Sequence, residues 1–459
     1  MSPIDSPPHP SPHTPPLSTL RRHVRRVPGA HAAYRATQRV DREVSALGHW
    51  LRAEAGQRLR RAGDGVPLLQ SPTVRRTALT GVVGRDALAA ELRRRGLVAV
   101  DGRSGLYVPP QAQLAGALGE LVAANPLDAG FTFVDPAAVG GTDGAIERLR
   151  AACVFCLEGL GPRPYDLVEL PDEQLLAFVV AHVDGSESTT TACAAVSDRV
   201  HAVAATNGLQ AIDAAWQQPR HFRDDDGEGS FVGWDHFRLA DPAAPVRRLL
   251  TPETRRDLHF GLEYKLRGGR YLYQSIPTAG ATGRRSTARR WGFIAELMRQ
   301  HELSVRDRVV LDVGCNAGMM LGATLAGGAA WGLGWDREAV VRHGSDLLLS
   351  LGYTRHQLTP GELGPERRLT ADVPGHLHAR LDGAIVLYLA IRHHIGWVRE
   401  LGEIPWRAIV YEGGEAESVA TLEESLHGLR ELCDFDVATA VDFRDSEGRA
   451  RPVALLVRR

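Results

Sequence analysis

The stretch VVLDVGCNAG at 309–318 constrains this chain more than any other. Its first residues read as a buried strand ending at Asp312, after which Gly314 and Gly318 form a tight turn that opens a helix. Glycine is needed where backbone must come close to a ligand or adopt a positive φ. Between the two stands Asn316, which tolerates the left-handed conformation better than most other residues with a side chain. A strand, a glycine turn and a helix in this order begin an α/β sheet whose ligand lies beyond the carboxyl ends of the strands.

The pattern after this segment agrees. VVLDVG, AAWGLGWD, TRHQLTPGEL, DGAIVLYL, WRAIVYEGG, DFDVATAVDF and PVALLVRR are seven strand candidates, with helical periodicity between the first five. DSEGRA joins the last two as a hairpin turn. The expectation is a doubly wound seven-stranded α/β domain over 271–459, ending in an antiparallel edge. Its leader, 271–283, runs into an amphipathic helix, RRSTARRWGFIAELMRQH.

Three segments precede it. Residues 1–20 are Pro, Ser and His rich and read as a disordered tail. Residues 21–125 read as helical, and DALAAELRRR followed by GLVAVDGRSGLYVPP has the helix-then-hairpin layout of a winged helix. Residues 126–270 read as a mixed α/β accessory domain. Its strands are expected at 165–170 and 175–183, with a helix at 199–216 interrupted by Gly208.

Charge and cysteine content exclude several classes. The formal net charge is −1, so no global field draws the chain to nucleic acid. Between Arg21 and Arg95, 17 arginines face 6 acids, a local excess of +11 that reads as solvated helix faces. No apolar run approaches the ~20 residues that span a bilayer, and no signal-like segment opens the chain. A cytoplasmic protein is expected. Cys153 and Cys156 form a C-x-x-C with no second pair at ligand spacing, and the cluster of His221, Asp224, Asp225, Asp226, Asp235 and His236 lacks a ligand frame. No metal is expected.

The nucleotide class follows from the loop. A dinucleotide site wants G-x-G-x-x-G so that helix amides receive a pyrophosphate; here the spacing is G-x-N-x-G, followed by Met319. Asp312 would repel a phosphate and attract a cationic ligand with an amino-acid end. Asp336, closing the second strand, is placed to accept hydrogen bonds from both ribose hydroxyls. Glu362, followed by Leu363, can bracket an adenine, with Asp372 as a competing candidate. Together these residues point to a sulfonium nucleoside.

On these residues the segment 300–459 resembles the class I (Rossmann-like) S-adenosylmethionine-dependent methyltransferases. The resemblance implies S-adenosyl-L-methionine as cofactor, with Asp312, Gly314 and Gly318 at its methionine part, Asp336 at the ribose and Glu362 at the adenine. Asn316, in the same loop, counts among the cofactor residues. On the acceptor side, IVLYLAIRHHIG brings Tyr388, His393 and His394 to a strand end as catalytic candidates. An imidazole there can take a proton from the acceptor, or simply cap the following helix. Tyr273, Tyr411 and Glu412 are expected at the substrate, with Glu415 open between a substrate contact and a helix cap.

The expected activity is methyl transfer to an O, N or C atom of a small molecule, in specialised metabolism, by a homodimer. An RNA or protein methyltransferase using the basic N-terminal region is the alternative, and a non-catalytic regulator that binds the sulfonium nucleoside is a third.

Overall fold

The computed structural model describes residues 74–76, 85–94, 98–100, 105–107, 121–170, 174–183, 190–218, 222–223, 230–258, 272–444 and 450–459. All belong to one of the chain's two units, Gly65–Arg459. The expected tail at 1–20, the helical pattern near 20–61, and His221, Asp224, Asp225 and Asp226 lie outside the described residues.

The C-terminal sheet has seven strands: β1 (Val309–Val313), β2 (Trp331–Asp336), β3 (His356–Pro360), β4 (Ile385–Leu389), β5 (Ala408–Glu412), β6 (Phe435–Arg444) and β7 (Ala450–Arg458). Their order is β3-β2-β1-β4-β5-β7-β6. The first five are parallel, and β7 runs antiparallel to both β5 and β6. The chain therefore reverses direction across the sheet between β1 and β4, which opens a crevice at their carboxyl ends.

Strands β1, β4 and β5 are buried at every position, as a parallel sheet covered on both faces requires. Alternation divides their side chains between two cores. Val310, Leu387 and Val410 pack with Ile294, Met298 and Leu348 on one face. Leu311, Tyr388 and Tyr411 pack with Trp397, Leu426 and Leu429 on the other. The first face is covered by α1 (Thr287–Gln300), α2 (Met319–Ala326) and α3 (Glu338–Ser350). The short turn α4 (Arg392–Ile395) follows β4, and α5 (Leu422–Arg430) covers the second face.

Helix α1 starts where Ser286 accepts from the Arg289 amide at 3.3 Å, an N-cap that satisfies one of the helix's unpaired donors. Its buried positions are Thr287, Arg290, Ile294, Leu297 and Met298, the three-and-four spacing of one helical face. An arginine therefore stands in a stripe that is apolar beyond its first residue, Thr287.

The accessory region departs from expectation in two ways. The hairpin Val98–Val100 and Gly105–Tyr107 does follow a helix, Arg85–Arg94. However, its second strand pairs with Ala129–Val134, so the hairpin is the edge of one six-stranded sheet that also holds Leu175–Ala181, Pro164–Leu170 and Arg75–Arg76. The boundary expected at 125/126 runs through this sheet, and the hairpin is no separate wing. Second, Gly208, at φ +70°, ends the helix Thr190–Asn207 and starts the strand Leu209–Ala211 instead of interrupting one long helix. The left-handed residue turns the chain out of the helix.

The two regions join along the β2–β3 side of the large sheet. Trp331 Nε1 donates to the Ala124 carbonyl at 3.3 Å, and Thr354 Oγ1 to the Tyr165 carbonyl at 3.0 Å. Arg355 and Asp166, both buried, pair at 3.4 Å. No described helix is long and apolar enough to cross a membrane.

Candidate functional site

The loop between β1 and α2 holds three left-handed residues: Gly314 at φ +80°, Asn316 at +50° and Gly318 at +71°. A Cβ on Gly314 would lie 2.9 Å from Ile391 Cγ1, and one on Gly318 2.8 Å from Leu348 Cδ1. The two glycines thus serve packing as well as conformation. Asp336 straps the loop from the next strand, accepting from the Asn316 amide at 2.9 Å with one oxygen and from the Arg337 amide at 2.8 Å with the other.

A cavity of about 270 Å³ lies above this loop. The loop side contributes Asp312, Gly314, Asn316 and Met320; the ends of β2 and β3 contribute Asp336, Arg337, Gly361, Glu362 and Leu363. Leu389, Ala390, Ile391, His394 and Ile395 close it after β4, and Tyr273, Gln274 and Arg290 close it from the leader and α1. Every residue expected at the cofactor lines this cavity except Gly318, which sits at the head of α2.

Three polar atoms of cavity-lining residues are buried without a hydrogen-bond partner among the described residues: Asp312 Oδ2, Asn316 Oδ1 and Arg290 Nη2. Burial pushes the Asp312 carboxyl up to about 7; the nearby Arg290 opposes this and Asp336 adds to it. Arg290 is held by Glu412, Nε to Oε2 at 2.6 Å, with both side chains buried. Asp312 and Arg290 both line the cavity, and a buried acceptor or donor left without a partner costs free energy that a ligand group reaching it would recover. A group with one ammonium and one carboxylate satisfies both.

Sequence reasoning missed Arg290 and Gln274. Gln274 Oε1 accepts from the Met319 amide at 3.1 Å and its Nε2 donates to the Cys315 carbonyl at 3.5 Å. The leader strand Leu272–Gln274 is thereby tied to the glycine loop, and the first amide of α2 is taken by protein. The signal for Arg290 was present as a lone arginine on the buried stripe of α1. Gln274 carries no such local mark.

Several expected residues do not meet the cavity as read from the sequence. Tyr388, expected as catalytic, lies in the second core, stacked on Trp397 at 4.6 Å, and its hydroxyl donates to the Gly396 carbonyl at 2.6 Å. Tyr411, expected at the substrate, is buried on the same face and donates to Glu417 at 2.5 Å. Alternation along β4 and β5 turns both rings away from the cavity. Glu412 points to the correct face but is spent on Arg290. Glu415 pairs with Arg284 at 3.1 Å and Arg451 at 2.8 Å. Asp372 is held by Trp335 Nε1 at 3.1 Å and Arg367 at 2.5 Å and does not line the cavity, whereas Glu362 does.

The histidines divide. His394 lines the cavity and His393 stands behind it, their ring centroids 3.9 Å apart. Burial and the neighbouring His394 lower the His393 imidazole from its ordinary range, while Glu417 opposes the shift. Tyr273 lines the cavity from the leader. His394 and Tyr273 are therefore the expected acceptor-side residues that meet the cavity.

No family model and no curated protein matches the chain. Solved structures similar to it include S-adenosylmethionine-dependent methyltransferases. The magnesium protoporphyrin IX methyltransferase of Synechocystis PCC 6803, solved with bound SAM, is 14% identical over 48% of this chain and 98% of its own, with a TM-score of 0.28. A SAM-dependent methyltransferase from Aquifex aeolicus is 13% identical over 35% of this chain and 88% of its own, at 0.26. The ribosomal protein L11 methylase of Lactobacillus delbrueckii subsp. bulgaricus is 17% identical over 37% and 79%, at 0.26.

Proposed function

We propose that the chain binds S-adenosylmethionine in this cavity and transfers its methyl group to a small molecule. The observation that carries the reading is the pair of unsatisfied groups, Asp312 Oδ2 and Arg290 Nη2, at the wall of a cavity that also holds the strand-end acids Asp336 and Glu362. The donor set fits each part of the cofactor. Asp312 takes the ammonium and Arg290 the carboxylate of the methionine part. Asp336 takes the ribose hydroxyls, and Glu362 with Leu363 takes the adenine edge. Pyrophosphate has no place here, because the first amide of α2 is occupied by Gln274 and Asp312 would repel it.

When bound, the cofactor supplies an already electrophilic methyl group, so catalysis asks mainly for an in-line nucleophile. Leu389, Ala390, Ile391 and Ile395 give the acceptor end an apolar wall that excludes water. His394 is the group placed to receive the acceptor's proton, and Tyr273 the group placed to orient its polar atom. An apolar wall with two polar groups suits a small molecule better than a polyanion.

Titration calorimetry with S-adenosylhomocysteine tests the reading. Saturable one-site binding is expected, lost in Asp312→Leu. Absence of binding to the folded wild-type chain would sink it.

A further inference from the structure

The carboxylate of Glu417 is the most heavily engaged group near the acceptor end. It lies in the loop after β5 and accepts from four donors: Tyr411 at 2.5 Å, Ser425 at 2.6 Å, the Gly414 amide at 3.1 Å and Arg392 at 3.1 Å. Arg392 also donates to the Tyr411 hydroxyl at 3.0 Å and to Ser425 at 3.2 Å. One carboxylate thus ties together the end of β5, the first turns of α5 and the turn α4. Arg392 immediately precedes the histidine pair in α4.

The loop also closes on the histidines directly. A Cβ on Gly414 would lie 3.1 Å from His393 Nδ1 and 3.3 Å from Glu417 Oε1, and one on Gly413 would lie 3.0 Å from Glu417 Oε2. The glycine pair lets the loop backbone settle against both groups. A physical chain then runs from Glu417 through Arg392 and Gly414 to His393, and by ring contact to His394 at the cavity.

Resting on the reading that His394 serves the acceptor, we propose that Glu417 is a positioning residue that locks the His393–His394 pair in its orientation toward the cavity. It acts through Arg392 and the Gly413–Gly414 backbone and touches no reacting atom. Its hydrogen bonds hold its carboxyl down at about 2 against the upward push of burial, so it is a permanent negative charge. The groups around His393 are His394 and Arg392 on its own turn, Glu417 on the loop and Arg451 on β7. Of these, Glu417 is the anion.

Imidazole titration by histidine-selective NMR on the full chain tests this without cofactor or acceptor. His393→Gln and His394→Gln assign the two signals. In Glu417→Gln the His393 midpoint is expected to fall by about half a unit or more, because an adjacent anion is removed. The mutual ring-current shifts of the pair are expected to collapse. Glu417→Asp, which keeps the charge, is expected to restore most of the midpoint. Ser425→Ala removes one neutral donor and is expected to leave it unchanged. Should Glu417→Gln not fold, Arg392→Gln cuts the same link from the other end, and the ring-current shifts are then expected to collapse with the midpoint rising. An unmoved His393 signal in Glu417→Gln, an equal shift in Ser425→Ala, or an intact ring pair in Arg392→Gln would overturn the role. The cofactor reading stands or falls separately, on binding of S-adenosylhomocysteine to the wild-type chain.

Discussion

The two ends of the cavity are built on opposite principles. Around the β1–α2 loop, buried polar atoms are left without partners: Asp312 Oδ2, Asn316 Oδ1 and Arg290 Nη2. After β4 and β5, the polar groups satisfy one another: Tyr388 with Gly396, and Tyr411, Arg392 and Ser425 with Glu417. What the acceptor end shows the cavity is mostly aliphatic. The first end can gain hydrogen-bond energy from a ligand at several buried groups, while the second offers mainly shape and apolar contact, with His394 and Tyr273 as its polar groups. On the proposed reading, recognition of the cofactor is polar and directional, and choice of acceptor depends on a scaffold rigid behind its surface.

The largest effect that could break this contrast concerns Arg290. Arg290→Met leaves the buried Glu412 without its close partner, and the cost is expected to be about 3–5 kcal/mol in urea denaturation. Affinity for S-adenosylhomocysteine should fall with it. Adding Glu412→Gln removes the stranded charge and is expected to recover most of the stability but none of the affinity. A double variant that binds as well as wild type would show that Arg290 is only a strut.

Asp336 comes next. Asp336→Ala removes a charged acceptor and is expected to weaken cofactor binding by about 1.5–3 kcal/mol, or ten- to a hundredfold. It also frees the Asn316 amide of the loop and the Arg337 amide after β2. Unchanged affinity by calorimetry would remove Asp336 from the site.

The loop end also responds to acidity. The Asp312 carboxyl is raised to about 7 in the folded chain by burial, far above its unfolded range near 4. Its contribution to apo stability is thus fully present below about pH 4 and is lost as pH rises to about 7. Cofactor binding runs the other way, since an ammonium selects the ionised form. Affinity should rise by up to tenfold per pH unit between about 5 and 7 and then level off. Asp312→Asn should flatten both profiles. A wild-type affinity independent of pH would place the ammonium elsewhere.

The smallest effect tests the self-satisfied end. Tyr388→Phe removes one hydrogen bond to the Gly396 carbonyl and is expected to cost about 1 kcal/mol. Thermal melting should register it, while affinity for S-adenosylhomocysteine should not change.

Much of the loop end of the cavity was legible along the chain because its residues are local. Asp312, Gly314, Asn316 and Gly318 sit in one strand-to-helix turn, and Asp336 and Glu362 end or follow the next two strands, so spacing alone brings them to one edge. The acceptor end was misjudged at Tyr388 and Tyr411 for a specific reason. Both were rightly placed on strands near their carboxyl ends, but a period of two leaves open which face carries the cavity. His393 and His394, in the turn beyond the strand, escaped that ambiguity.

Local sequence, then, determined the alternating strands and helices, the glycine loop with its left-handed Asn316, and the acids that ring it, because each depends on neighbours within a turn or on strand-end spacing. Tertiary structure alone decided which face of β4 and β5 carries the cavity, that Glu412 holds an arginine 122 residues away in the chain, and that Gln274 reaches the loop 45 residues away to take the Met319 amide. These are partnerships between buried polar groups. Their energy depends on exclusion of water by elements distant in the chain, which no local pattern records.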